Sequence, residues 1–247
     1  MILIVVPCYN EALRLRPDVF RSYLAENSET LFLFVDDGST DRTLEMLHAI
    51  DSGDGDRAII LALPHNHGKA EAIRQGILHG LQRPVELLGF LDADLATPLP
   101  AIAGLAGVMT ADPTVKMVCG ARVQRLGAVI TRHWYRHYPG RIIATFISLL
   151  LGLPVYDSQC GAKVFDRDLA EQIFSEPFLS RWLFDVELFA RTIGLVGRQH
   201  AARIIHEYPL THWTDVGTSK ITPAYLPKIP FELWRIRRHY RQHLQRP

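Results

Sequence analysis

Short aliphatic runs alternate with longer stretches of helical periodicity through the first hundred residues, and few architectures accommodate that alternation. Residues 2–6, 31–35, 58–63 and 87–91 are short and rich in aliphatic side chains, as strands buried on both faces are. Between them, residues 12–26, 40–49 and 69–81 carry apolar side chains three and four apart, the spacing of an amphipathic helix. Thr40 or Asp41 is placed to cap the second of these. Repeated β-α-β-α order implies an α/β protein with a mostly parallel, Rossmann-like sheet, right-handed crossovers and flanking helices. The second half predicts a strand at 115–121 and helices at 132–151 and 180–193. A basic, aromatic helix closes the chain at 231–244.

The 247 residues suffice for one large domain, and 48% hydrophobic with 21% charged residues suits a chain that buries a full core. A net charge of +1 argues against a surface built for nucleic acid, so no such partner is expected. The charge is uneven, however. From Lys228 onward, Lys228, Arg235, Arg237, Arg238, Arg241 and Arg246 face a single acid, Glu232. Cys8, Cys119 and Cys160 are widely spaced with no CxxC pair, which fits reduced thiols in a cytosolic compartment. Met1 leads directly into the first strand without a basic leader, so no secretory signal is expected. The longest uncharged apolar run, 142–156, falls short of the about 20 residues of a spanning helix and is interrupted by Gly152 and Pro154. A run of that kind can lie in a membrane interface.

Ligands of an open parallel sheet bind beyond the carboxyl ends of its strands. There the sequence turns polar three times: Pro7-Cys8-Tyr9-Asn10-Glu11, Asp36-Asp37-Gly38-Ser39 and Asp92-Ala93-Asp94. One acid after one strand commonly caps the next helix; three such turns at one edge point to a site. The first turn has no glycine, which excludes the G-x-G-x-x-G of dinucleotide folds. Gly68-Lys69 lacks both the earlier glycine and the following Ser or Thr of a P-loop. Without a glycine nest, a bound nucleotide must have its charge compensated by a cation. Asp92 and Asp94, pointing alike from an extended strand end, would hold Mg²⁺ or Mn²⁺.

These residues, with Asn66-His67-Gly68-Lys69, resemble the family-2 glycosyltransferases in order and spacing. The likeness extends through Gly120-Ala121-Arg122, the stretch Asp157 to Phe165 and Arg181 to Leu188, over roughly residues 1–225. There the chain is most similar to the dolichyl- and polyprenyl-phosphate sugar transferases, the β-glucosyl branch above all. The resemblance implies a GT-A fold over 1–225, with residues 226–247 as an amphipathic appendage. It also implies a nucleotide-sugar donor, a polyprenyl phosphate acceptor and peripheral contact on the cytoplasmic face of the membrane. Pro7, Tyr9, Glu11, Asp37, Gly38, Lys69, Asp92, Ala93 and Asp94 would meet the donor, with Asp37 accepting from the base and Asp94 holding the metal. Arg122, Arg132, Arg136 and Lys220 would meet the acceptor phosphate, guanidinium forks being matched to phosphate oxygens. Asp92, Asp94 and Arg122 would carry the chemistry.

Mannosyl relatives typically continue the acidic motif with Gln-His, whereas this chain has Ala96-Thr97, which points to UDP-glucose rather than GDP-mannose. A soluble transferase with a sugar hydroxyl acceptor is the rival reading. It needs a general base, for which Asp157 and Asp185 are the candidates. Asp185 and Glu187, two apart on a helix, are expected to serve different surroundings, and Cys160 and Lys163 to be structural. The sequence leaves the oligomeric state open.

Overall fold

The four aliphatic runs become β1 (Ile2–Cys8), β2 (Thr30–Asp36), β3 (Ala58–Ala62) and β4 (Leu87–Leu91). The structure is a computed structural model that describes residues 1–50, 57–131, 134–216 and 228–245, with side chains in 134–139 excepted. β1 pairs in parallel with β2 on one side and β4 on the other, and β3 extends the sheet beyond β2. The chain thus winds outward to β3 and returns across β1. That reversal opens the crevice between β1 and β4 where ligands of such sheets bind.

Beyond β4 the sheet changes character. β5 (Met117–Ala121) and β8 (Ile205–Pro209) pair in parallel, but β7 (Ala162–Asp166) lies antiparallel between β4 and β5. The main sheet therefore runs β3-β2-β1-β4-β7-β5-β8, mostly parallel as expected. β6 (Val129–Thr131) and β9 (His212–Thr214) form a small separate ribbon.

β1 shows how the core is divided. Leu3 and Val5 point to one face, Ile2, Ile4 and Val6 to the other, as the two-residue period of a strand requires. On the second face Phe20 of α1 (Pro17–Glu26) meets Phe32 and Phe34 edge-on, at centroid distances of 5.2 and 5.1 Å. Each such contact adds about 0.5–1.5 kcal/mol beyond the area buried. α1 begins five residues later than its periodicity suggests. Pro17 sets the first turn, while residues 12–15 curl back on the Glu11 carbonyl.

α2 (Thr43–His48) is preceded by Asp41, whose carboxylate accepts the Thr43 N–H at 3.0 Å and reaches back to the Ala12 N–H at 3.1 Å. α3 (Lys69–Gly80) crosses to β4, and α4 (Ala101–Ala111) lies on the face opposite α3. α5 (Trp134–Leu151) and α6 (Arg167–Ile173) follow, the latter capped by the Asp166 carboxylate on Leu169 N–H. α7 (Phe184–Val196) is buried from Phe184 to Gly194, as a helix enclosed on all sides must be. After α8 (Arg198–Ile204), the expected terminal helix is two: α9 (Ile229–His239) and α10 (Arg241–Leu244), separated at Tyr240.

The terminal helices are docked, not detached. Ile229, Leu233, Ile236, Tyr240 and Leu244 join the same core cluster as β1 and α7. Arg191 of α7 anchors this junction from within. Its guanidinium donates to the carbonyls of Ile173, Glu176 and Pro177, each at 2.7 Å, and to the Tyr240 hydroxyl at 3.0 Å, over the Phe178 ring. Arg191→Met should therefore strand several buried acceptors and cost about 3 kcal/mol. That lowers the melting temperature by roughly 6–12 °C for a chain of this size. A thermal melt within 2 °C of wild type would show that the junction holds without it.

Candidate active site

The turns after β1 and β2 are laced together before any ligand arrives. Asn10, at φ +50, donates its N–H to Ser39 Oγ at 3.0 Å, and its Oδ1 accepts the Thr40 N–H at 2.9 Å. Asparagine tolerates that left-handed conformation better than most residues. Tyr9 is exposed here and Pro7 half-buried, while Glu11 is buried with its carboxylate against Arg14 at 2.7 Å. Three of the residues expected at the nucleoside pocket thus share one turn, but Glu11 is occupied by its own neighbour.

Asp37 departs further from expectation. Its carboxylate, expected to accept from a base, is turned onto the 66–68 loop. It accepts the His67 and Gly68 N–H groups at 2.8 Å each and Asn66 Nδ2 at 3.1 Å. The reason is burial: at 2% exposure a carboxylate must find donors, and this loop supplies three. Asp37 shapes the pocket through that loop. Gly38, at φ +67, permits the approach, because a Cβ there would lie 2.5 Å from the His65 carbonyl carbon.

The same loop delivers Lys69 as the first residue of α3, and its ammonium reaches Asp92 Oδ1 at 2.5 Å. Burial works against the charge on Lys69, but Asp92 and then Asp185 outweigh it, and its pKa is raised. Asp92 stands one residue past β4. Its N–H donates to the Gly161 carbonyl at 3.0 Å, and a Cβ on Gly161 would lie 1.9 Å from Asp92 Oδ2. Glycine at 161 is what leaves room for the carboxylate.

Asp92, Ala93 and Asp94 form a turn, with Leu95 at φ +56, in place of the extended strand end assumed from the spacing. The two carboxylates still feel each other: burial, then the charge of Asp92, pushes the Asp94 carboxyl upward. Asp94 Oδ1 accepts the Ala96 N–H at 3.0 Å. A raised carboxyl beside a second acid lacks positive charge, and that deficit fits a divalent cation. Among the described residues no group of three or more His, Cys, Asp or Glu forms a protein cage for a metal. Mg²⁺ or Mn²⁺ at Asp94 would draw its remaining ligands from diphosphate and water, as small hard cations commonly do.

Arg122, just past β5, faces this edge. Its Nε and Nη2 grip Asp157 at 2.6 and 2.7 Å, its N–H adds a third bond at 3.0 Å, and Trp213 lies beneath at 5.1 Å. Burial opposes charge on Asp157, but Arg122 more than offsets it and holds the carboxyl at about 2. Behind them Lys163 is fully buried. It donates to the carbonyls of Ser158 and Cys160 and to Asp185 Oδ1 at 2.5 Å. Glu187 turns elsewhere, accepting Ser180 and Leu179 N–H and the Tyr240 hydroxyl. The pair on α7 does serve different surroundings.

Of the other expected acceptor residues, Arg132 and Lys220 lie outside the described residues, and Arg136 lies in α5 with its side chain outside them. Glu207 and Trp213 were not foreseen. Glu207 accepts the Tyr156 and Asp157 N–H groups at 2.8 and 2.7 Å and so positions Asp157. No local motif marks it, since its partners are some fifty residues away.

Residues 3–174 match the family described as Glycosyl transferase family 2. The chain is 31% identical to a dolichyl-phosphate beta-glucosyltransferase of Trichomonas vaginalis, over 96% of its own length and 71% of that protein. It is 30% identical to the human dolichyl-phosphate beta-glucosyltransferase, over 90% of this chain and 70% of the relative. Among solved structures it resembles glucosyl-3-phosphoglycerate synthase from Mycobacterium tuberculosis in complex with Mn²⁺, uridine-diphosphate and phosphoglyceric acid. The TM-score is 0.69 at 20% identity, covering 100% of this chain and 79% of that one. The fold is GT-A, as expected.

The Arg122–Asp157 pair has a pH signature. A carboxyl held at about 2 against an ordinary 3.8 contributes stability above that ordinary value and loses it as pH falls toward 2. Asp157→Asn should cost on the order of 3 kcal/mol at pH 7, and the gap to wild type should narrow between about pH 4 and 2. Urea titrations across that range measure it; parallel stability curves would refute the coupling.

Proposed function

Because this chain belongs to glycosyl transferase family 2, we propose that it transfers glucose from UDP-glucose to a dolichyl-type polyprenyl phosphate, with inversion at C1. The names of its relatives support the glucosyl and dolichyl-phosphate parts. Ala96, which offers Asp94 only a backbone N–H where mannosyl relatives carry a ligating glutamine, supports the donor.

The observation that carries the acceptor is that both candidate bases are already committed. Asp157 is clamped by Arg122 at a pKa of about 2, and Asp185 is buried on Lys163. A hydroxyl acceptor would need one of them to remove its proton. A phosphate acceptor is ionised near neutral pH and needs neither. One phosphate oxygen forms the bond to C1 as the C1–O bond to the diphosphate breaks, the electron pair leaving with UDP.

Bound Mg²⁺ or Mn²⁺ supplies charge neutralisation for the diphosphate leaving group. Asp94, with Asp92 beside it, would hold it. Lys69 places an ammonium at the same edge, and Arg122, with two of its nitrogens fixed on Asp157, directs its remaining N–H groups to the acceptor. Arg132, Arg136 and Lys220 complete the reading as further phosphate contacts. Peripheral attachment at the cytoplasmic face of a membrane belongs to the same proposal. Three buried free cysteines suit a reducing compartment. Ile142, Phe146, Leu149, Phe231 and Trp234 expose apolar surface suited to a lipid interface. No helix of the described residues is long and apolar enough to cross a membrane.

The test is transfer of labelled sugar from UDP-glucose or GDP-mannose, with Mg²⁺ or Mn²⁺, to a short polyprenyl phosphate or to free sugars. Glucose label should enter the lipid product and chelation should abolish it. Asp94→Ala, with an unchanged circular dichroism spectrum, should lose on the order of a thousandfold in turnover. Preference for GDP-mannose would restore the mannosyl alternative. Efficient transfer to free sugars would restore the soluble one.

A further inference from the structure

A second concavity, of about 600 Å³, opens where the end of α5, the start of α8 and α9–α10 meet. It shares no lining residue with the site around Asp92. The body of α7 separates the two: from Asp185 to Val196 that helix rises about 17 Å at 1.5 Å per residue, and Arg198 of the cavity follows its end.

Arg198, Arg237, Arg238 and Arg241 line the cavity, and among the described residues no carboxylate does. Like charges gathered around one concavity repel, and a bound anion offsets that repulsion. Arg198 is fixed by a bond to the Leu244 carbonyl, yet its buried Nε has no hydrogen-bond partner among the described residues. Apart from Gln245, the rest of the lining is apolar. Leu149 forms one lip and Trp234 the other, with Arg238 over the Trp234 ring at 5.4 Å. From Leu149 an exposed stripe continues along α5 through Phe146 and Ile142, at the spacing of one helix face. Phe231 stacks on Trp234 at 5.9 Å and prolongs the opposite lip.

We infer that this cavity binds the phosphodiester head of an anionic phospholipid, its acyl chains lying along the α5 stripe. Guanidinium forks meet phosphate oxygens in two-point contacts, and the stripe gives methylenes a dry surface. A free phosphate satisfies the arginines but leaves the stripe unused; a zwitterionic lipid fills the stripe but brings its own cation beside the phosphodiester, into the arginine cluster. The inference rests on the proposed membrane attachment, whose apolar residues it shares, and stands apart from the transfer reaction, because the occupant is neither donor nor acceptor.

The full chain is titrated with dihexanoyl phosphatidylglycerol below its micellar concentration, with dihexanoyl phosphatidylcholine, and with inorganic phosphate. The readout is the tryptophan fluorescence change that Trp234→Phe removes. Saturable binding of the glycerol lipid is expected, with both other compounds at least about tenfold weaker, the difference one charge-assisted contact makes. Arg237 and Arg238 are exposed, so Arg237→Gln/Arg238→Gln keeps the core intact and should weaken binding by about tenfold or more. Arg203→Gln, an exposed charge on α8 outside the cavity, should change it by less than about twofold. Absence of saturation, equal binding of inorganic phosphate, or an equal loss in Arg203→Gln would overturn the site. So would self-association, seen by sedimentation, that the double variant abolishes while lipid has no effect. None of these titrations contains a sugar donor or acceptor, so failure here leaves the transfer reading standing.

Discussion

Two carboxylates two positions apart in one turn repel each other, and the carboxyl edge of this sheet is organised around holding them there. The contact that does so is Lys69 to Asp92 at 2.5 Å. Lys69 also feels Asp185, Asp185 is held by Lys163, and Arg122 with Asp157 closes the array on the other side of β7. Positive and negative groups alternate along the edge. Arg122–Asp157 and Lys163–Asp185 are buried, and ion pairs of that kind are weak contributors to stability, because desolvation consumes most of their attraction. What they supply is position. Asp92 is neutralised by a protein cation while Asp94 is not, and that asymmetry leaves one carboxylate in want of a charge from outside.

Such an array needs residues distant in sequence at one edge, and the antiparallel β7 provides this. A parallel strand brings its end to the ligand edge; an antiparallel one brings its beginning. Residues 157–161, which lead into β7, therefore arrive where β4 and β5 finish. Ala162 pairs with Leu91, so Gly161 falls opposite Asp92. On the other flank Cys119 pairs with Lys163, which brings Arg122 near Asp157. Lys163 then ties the incoming loop to α7 by its three donors. One strand reversal thus sets the distances among Asp92, Arg122, Asp157 and Asp185.

That reversal is what the sequence did not disclose. β1, β2 and β4 are legible because strands buried on both faces are apolar throughout, and the polar turns after them mark the ligand edge; the half-buried edge strand β3 is legible by its aliphatic run alone. Residues 162–166 are equally strand-like, but they follow Asp157-Ser158-Gln159-Cys160-Gly161 and read in sequence as one motif with it. Nothing local gives a strand's direction. The sequence does not show α4, because Gly104, Gly107 and four alanines blur any periodicity in 101–111. For Asp37, expected at the base, the sequence cannot show a loop thirty residues on folding back over its carboxylate. Lys163 was read as structural, correctly as to burial, though its partner Asp185 links it electrostatically to Lys69. The docking of α9 was likewise hidden: a helix with one basic and one apolar face suits a membrane or a core, and here Leu233 and Ile236 are buried against the core while Phe231 and Trp234 are exposed.

The Asp94 turn has a consequence for how donor and cation meet. Ala96 occupies Asp94 Oδ1 with a backbone N–H, and among the described residues no group of three His, Cys, Asp or Glu gathers there. The protein therefore offers a divalent cation little beyond one carboxylate and the field of a second, already shared with Lys69. A hard cation seeking six oxygen ligands is poorly satisfied by that set. A diphosphate supplies oxygens in the same place and brings the negative charge that Lys69 also faces. Each then improves the site for the other, and by linkage the coupling is equal in both directions. An edge with a glycine nest could bind phosphate first and metal later. On the proposed reading this one, glycine-free after β1 and short of charge at Asp94, would bind the two together.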